Sequence, residues 1–319
     1  MEGRDIAVSS ATGLPRSRSL EASSPRYGEK AIKAFLAACA FLSVITTIAI
    51  VVSLLGPALG FFKVVSPGDF FFKTEWAPAQ DLFGVLPLVV GTLNVVFFAM
   101  LFAVPVGLGA AIYLSEYAPP RVRKAVKPVL EILAGIPTVA IGFFGVSFVT
   151  PLLQDLWPGE FLDGPPGFFN AGAAAICIGL AIVPIISSLS EDAMSAVPAG
   201  LREGGYALGA SKMRVATRIV FPAALSGIVA SIVLAISRAI GETIIVLLVA
   251  GNNPNLTFNP VESIQAMTAY IGVTATGDIA TGTIQYDTVF AVGALLFVIT
   301  LVMNLISIGL VRRFREVYE

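Results

Sequence analysis

Residues 219–250 read IVFPAALSGIVASIVLAISRAIGETIIVLLVA, an apolar stretch interrupted by one opposite-charge pair, Arg238 and Glu242. Four residues apart is one helical turn, and a helix starting near Pro222 rises roughly 24 Å before reaching Arg238 at about 1.5 Å per residue. If that helix crosses a bilayer, the pair sits around mid-membrane. A charge at that depth costs on the order of 3 kcal/mol on insertion scales, so such a position marks either a partner or a substrate path. A guanidinium there predicts an anionic cargo.

The rest of the chain agrees with a bilayer setting. Hydrophobic residues make up 56% of the 319 and charged residues 13%, which leaves too little polar surface to cover a soluble protein of this length. Net charge is −1, which predicts no nucleic-acid partner. Cys39 and Cys177 both fall in apolar runs, where a thiol acts as a small hydrophobe, so no disulfide framework is expected. The chain has no histidine and no clustered cysteine or carboxylate spacing, which predicts no metal site and excludes histidine acid–base catalysis.

Residues 1–28 are rich in Ser, Pro, Gly and Arg and are expected to form a disordered tail, with residues 29–319 as one membrane domain. Uncharged stretches at 34–62, 82–115, 132–154, 164–190, 219–237 (continuing past the pair) and 288–311 each supply the ~20 residues a spanning helix needs. Six spans follow. Lys and Arg concentrate in the tail, in the second-to-third connection (Arg121, Arg123, Lys124, Lys127), in the fourth-to-fifth (Arg202, Lys212, Arg214, Arg218) and at the end of the chain (Arg312, Arg313, Arg315). The alternate connections hold only Lys63 and Lys73, and residues 252–287 hold no cation. The positive-inside rule therefore expects both termini in the cytoplasm.

Pro87, Pro105, Gly107 and Gly109 in the second span, Gly135, Pro137, Gly142 and Gly145 in the third, and Pro184 in the fourth permit close approach and kinks. Between spans five and six, Asn259, Pro260 and Glu262 fit the start of a helix, and Val261, Ile264, Met267 and Ile271 recur at helical spacing. A short amphipathic helix at the outer interface is expected there.

The connection at about 191–221 is longer than a joining loop needs, which predicts a surface for another protein. It runs Glu203-Gly204-Gly205, then Gly209, then Ile219-Val220-Phe221-Pro222. Gly209 suits a turn between two short helices, and Pro222 at a helix head forfeits no hydrogen bond. In spacing this resembles the cytoplasmic signature of permease subunits of bacterial ABC importers, Glu-Ala-Ala, three residues, Gly, nine residues, Ile-x-Leu-Pro. Glu203, Gly209, Ile219 and Pro222 are in register, while Gly204 and Gly205 replace the alanines and Phe221 the leucine. Glycine costs up to ~1 kcal/mol against alanine in a helix, so the replacements weaken its start.

The stretches LSEYAPP (114–120), EILAGIPT (131–138), GFFG (142–145) and SRAIGET (237–243) narrow the resemblance to the C-type permease of the phosphate-specific transport (Pst) system, over about residues 30–316. That resemblance implies an all-α, six-helix permease of the type I, MetI-like importer fold in the inner (plasma) membrane. It further implies an A-type permease partner, two ATPase subunits at the loop around Glu203–Gly209, and phosphate received from an external binding protein. The chain lacks a Gly-x-x-x-x-Gly-Lys-Ser/Thr phosphate loop, so ATP and Mg are expected on the partner ATPase and no cofactor or enzymatic activity on this chain.

Two readings of the charged pair compete. In one it only neutralises itself or ties span five to a neighbour. In the other, Arg238 offers its fork to phosphate oxygens, and Glu242 compensates it when empty and accepts the proton that phosphate carries and sulfate lacks. Ser237, Thr243, Thr138 and Ser147 are weaker candidates for hydroxyl donors along the path. The competing functions are a permease for molybdate or sulfate and a regulatory membrane protein reporting phosphate supply. A secondary transporter would carry its own coupling-ion residues and often a repeat, and none is evident.

Overall fold

The computed structural model describes residues 27–159 and 164–314. Most of the expected tail therefore lies outside the described residues. Two compact units, Met1–Ile50 and Val51–Glu319, divide the chain within its first helix.

Helices account for nearly all the regular structure. α1 (Tyr27–Val64) is followed by a short α2 (Pro67–Phe72) and a two-stranded hairpin, β1 (Trp76–Ala77) and β2 (Leu82–Phe83), paired Trp76 to Phe83. α3 (Leu86–Ile112) continues through a π turn at Tyr113–Tyr117, and α4 (Pro120–Ala134) leads to α5 (Thr138–Phe144), a second π turn (Gly145–Val149) and α6 (Thr150–Leu156). α7 (Ala171–Ser195) is followed by α8 (Ala199–Ala207), α9 (Lys212–Val215), a π turn (Ala216–Val220), α10 (Phe221–Ala223) and α11 (Leu225–Ile240). A last π turn (Val246–Ala250), α12 (Met267–Thr276) and α13 (Ile284–Phe314) complete the described chain.

Five stretches are long and apolar enough to cross a membrane, namely Gly28–Val64, Leu86–Tyr117, Thr138–Leu156, Ala171–Ser195 and Ile284–Leu310. The sixth expected span is Lys212–Ala223 and Leu225–Ile240 taken together, bent by 72° between them. The chain turns at Ala224, so the apolar run expected as one span is divided there.

Small residues decide which helices approach most closely. Ala99, Ala103, Gly107 and Ala111 recur every four residues along α3 and are buried. A Cβ at Gly107 would meet Ile186 Cβ at 2.8 Å, and one on Gly179 of α7 would meet Phe102 Cδ1 at 2.6 Å. These contacts bring the α3 and α7 backbones together, which is how helices associate where apolar burial alone gives no preference. Gly142 and Gly145 do the same in span three, where added Cβ atoms would sit 2.8 Å from Leu248 Cδ1 and from Val249 Cγ2. Span three therefore lies against residues 245–249.

Three boundaries differ from the sequence expectation for physical reasons. Span three begins at Thr138 rather than 132, because Gly135 and Pro137 separate it from α4, an amphipathic helix with its own basic face. Span four begins at Ala171 rather than 164, where the buried Asn170 side chain accepts from Ala173 N at 2.7 Å and caps the helix. The expected helix at 259–271 starts only at Met267. Residues 259–266 instead run through turns and extended chain, held by Gly172 N to Pro260 O (2.7 Å), Ala171 N to Glu262 O (3.0 Å) and Ile264 N to Ala250 O (3.1 Å). α12 does not lie on an outer surface either, since Met267, Thr268, Ala269 and Tyr270 are buried. At this end of the bundle Phe61, Phe70, Trp76, Phe83 and Tyr270 form an aromatic cluster under the hairpin.

Candidate functional site

Span five stops in its middle. α11 ends at Ile240, and Gly241, Glu242 and Thr243 separate it from the helical turns that follow. The Glu242 side chain is 8% exposed, and its Oε1 accepts from Ile245 N at 3.4 Å. It thus caps the new segment in the manner of an N-cap residue. Glu242 O in turn accepts from Thr268 Oγ1 at 2.8 Å, while Met267 N donates to Thr92 Oγ1 at 3.0 Å. Through Thr92 and Thr268, α12 joins α3 to the break.

Arg238 occupies the last turn of α11, where a cation suits the negative end of the helix dipole. It is exposed, like Leu234 one turn earlier, whereas Ser231, Ala235 and Ala239 of the same helix are buried. The ion pair with Glu242 that an unbroken helix would produce does not form. The reason is the break, which commits the carboxylate to the Ile245 amide. Among the described residues Arg238 has neither a hydrogen-bonded nor an ion-paired partner. This corrects both the reading in which the two residues neutralise each other and the expectation that Glu242 compensates Arg238 when no substrate is bound.

The hydroxyl candidates are placed unevenly. Ser237 Oγ donates to Asn304 Oδ1 of α13 at 3.0 Å, and Thr243 Oγ1 to Gly241 O at 3.3 Å, so both belong to the break. Thr138 lies one turn before Gly142 on the flank of span three that meets residues 245–248, and Ser147 is exposed in the π turn. Neither is hydrogen-bonded to the break.

At the opposite end, the connection 191–221 folds as two helical pieces around Gly209. Gly209 has φ +75°, its N–H donates to Tyr206 O (2.9 Å), and Ala210 N donates to Gly205 O (3.1 Å). This is a Schellman ending, for which glycine carries no Cβ penalty. Gly205 is buried, and a Cβ there would meet Ile219 Cδ1 at 2.6 Å and Val215 Cγ2 at 3.1 Å. A glycine in place of alanine at this position thus serves a close approach between α8 and the chain leading into span five. Gly204 faces open space, so there the expected weakening has no offset. Glu203 and Pro222 are exposed, and Leu208 at the tip is 91% exposed.

Residues missed from sequence hold this connection to the bundle. Glu191, 1% exposed in the last turns of α7, binds Arg123, bonds Lys127 Nζ at 3.0 Å and accepts from Ser195 Oγ at 2.9 Å. Asp192 adds a 2.5 Å contact to Lys127, and these two carboxylates, Asp192 first, hold that ammonium above its usual range. Arg202 of α8 binds Glu116 at 3.0 Å together with two backbone carbonyls of the α7 exit. The available signal was charge complementarity between basic α4, together with Arg202 of α8, and the acids at 116, 191 and 192, all at one end of the bundle.

The family described as binding-protein-dependent transport system inner membrane component matches residues 103–316. This chain belongs to that family. It is a multi-pass membrane permease of the ABC transporter class. A probable ABC transporter permease protein, YqgH of Bacillus subtilis, is 33% identical over 86% of this chain and 87% of its own length. The phosphate transport system permease protein PstC of Xylella fastidiosa is 33% identical over 75% and 77%. The fold is shared with a bacterial alginate ABC transporter solved in complex with its pentasaccharide-bound periplasmic protein, at a TM-score of 0.62 and 20% identity over 91% of this chain and 98% of that one.

Proposed function

We propose that this chain is the C-type permease subunit of an ATP-driven importer of inorganic phosphate in the inner (plasma) membrane. Its partners are an A-type permease, two ATPase subunits that carry ATP and Mg, and an external binding protein that delivers the anion. Both termini are cytoplasmic on this reading, as the distribution of Lys and Arg supports. The connection 191–221 then faces the ATPase, with Leu208 and Glu203 presented on a turn fixed by Gly209.

The observation that carries the proposal is the unpartnered Arg238 at the break in span five. An uncompensated guanidinium on the exposed flank of an apolar helix favours an anion, and its planar fork suits two oxygens of one phosphate. Broken spanning helices place such groups along substrate paths, since backbone released from the helix is tolerated only where it lines a cavity or is buried in protein. On this reading Glu242, held by the Ile245 amide and not paired with Arg238, accepts a hydrogen bond from the P–O–H of hydrogen phosphate, which sulfate lacks.

The test is uptake by the copurified complex in proteoliposomes with its binding protein and ATP. Phosphate should accumulate only with ATP, and sulfate and molybdate should compete poorly. Glu242→Gln should reduce phosphate uptake or its selectivity over sulfate. If sulfate or molybdate is carried in preference, the substrate assignment is wrong, and if Glu242→Gln changes neither rate nor selectivity, the role of that carboxylate is wrong.

A further inference from the structure

Arg202 makes more directional contacts than any purpose of solubility requires. It projects from α8, immediately before Glu203. Its Nε and Nη2 donate to Glu116 Oε1 at 3.2 and 3.0 Å, Nη1 donates to Val197 O at 2.6 Å, and Nη2 also donates to Met194 O at 2.7 Å. Glu116 belongs to the π turn that ends span two, and its side chain is 4% exposed. Met194 lies in the last turn of span four and Val197 just beyond it, and the Met194 carbonyl also accepts from Val197 N at 3.2 Å. One guanidinium thus binds two carbonyls at the exit of α7, neutralises a buried carboxylate at the end of α3, and is itself part of α8.

One turn further along the same face of α8 the contact is different in kind. There Gly205 rests on Val215 and Ile219, side chains of the bent segment that leads into span five. That contact is apolar and non-directional, so it resists compression but allows sliding. The ionic contact fixes angle and register, because a fork donating to three acceptors on two other elements has one geometry.

We propose that Arg202 is a positioning residue for energy coupling, making α8 one rigid body with the ends of spans two and four. A push on the loop from the ATPase then moves those two spans together, while the bent approach to span five shifts against α8 across the Gly205 contact. The inference rests on the reading that the connection 191–221 receives the ATPase. Lysine cannot substitute, since a single ammonium cannot reach Glu116 and both carbonyls in the same geometry.

The experiment compares wild type, Arg202→Lys, Arg202→Ala and Glu116→Ala as full complexes in proteoliposomes with the binding protein supplied. The readout is phosphate accumulated per ATP hydrolysed, alongside subunit recovery. Arg202→Lys and Glu116→Ala should assemble and hydrolyse ATP, with the transport ratio lowered about 10-fold, in the range typical of coupling between sites. Should Arg202→Ala fail to assemble, Glu116→Ala, which leaves the carbonyl contacts in place, carries the test. A wild-type ratio in Arg202→Lys or Glu116→Ala overturns the proposal, including the case where uptake and hydrolysis fall in parallel as a purely structural defect would make them. Gly209→Pro separates this from the underlying reading. If that variant binds the ATPase and couples normally, the docking role of the loop is itself refuted, whereas loss of coupling there with an intact ratio in Arg202→Lys sinks only the role of Arg202.

Discussion

Glu191→Gln is the sharpest perturbation of the loop end of the bundle. The carboxylate is 1% exposed and neutralises Arg123 and Lys127 from α4. Removing one partner of a buried pair costs about 3–5 kcal/mol in general, because it strands the other charge. Here the side chains left behind are 38% and 31% exposed and can turn partly toward water, which reduces the expected cost to about 2 kcal/mol. For a chain of this size that corresponds to a fall of about 4 °C in thermal midpoint. The control is Asp192→Asn, whose 2.5 Å bond to Lys127 is the shorter of that lysine's two contacts but whose side chain is 53% exposed. It should shift the midpoint by about 1 °C, since solvated pairs contribute little. The pH dependence has a definite sign. Asp192 and Glu191 raise the pKa of Lys127 above its usual 10.5, so its contribution is complete below that value and is lost as pH rises through the higher folded value. The assay is a fluorescence thermal shift of the purified complex in detergent at neutral pH and again above pH 10. A larger loss in Asp192→Asn than in Glu191→Gln would refute the ranking by burial.

Other substitutions test single contacts. Gly204→Ala should raise the thermal midpoint by the equivalent of up to ~1 kcal/mol, because helix propensity improves and the added methyl meets nothing, whereas Gly205→Val should lower it by driving into Ile219. Gly107→Val should cost at least about 1–3 kcal/mol, seen as poor recovery of folded protein, since its Cβ already lies 2.8 Å from Ile186. Thr268→Val should leave the Glu242 carbonyl without its buried donor, costing about 1–3 kcal/mol and lowering uptake, while Thr268→Ser should behave as wild type.

Much of the architecture was legible because bilayer spans are written in composition. Apolar length identified every spanning region, and the spacing of Glu203, Gly209, Ile219 and Pro222 located the loop whose turn the structure builds at Gly209. What failed were the places where continuous apolar sequence hides discontinuous backbone. In the run 219–250 Pro222 marks a helix start but not the 72° bend two residues later at Ala224, and Gly241 is a weak signal for the end of α11, since glycines also occur inside intact spans. Periodicity suggested a helix from Asn259, but that chain satisfies its backbone by pairing with the starts of α7 and the end of span five, a non-local solution no local pattern encodes. The charged pair was expected as a contact that does not form, because the i,i+4 rule presumes an unbroken helix. The ion pairs of Glu191 and Arg202 escaped notice for the related reason that their charged partners lie 64 to 86 residues away in sequence.

The central claim concerns the lone guanidinium at the break. Its most direct measurement is the initial rate of ATP-dependent phosphate uptake by complexes carrying Arg238→Ala or Arg238→Lys, normalised to complex recovered. Loss of a charge-assisted, bidentate contact predicts a fall of at least about 10-fold for alanine, only partly restored by lysine, with ATPase association unchanged. Uptake by Arg238→Ala at the wild-type rate would contradict the account.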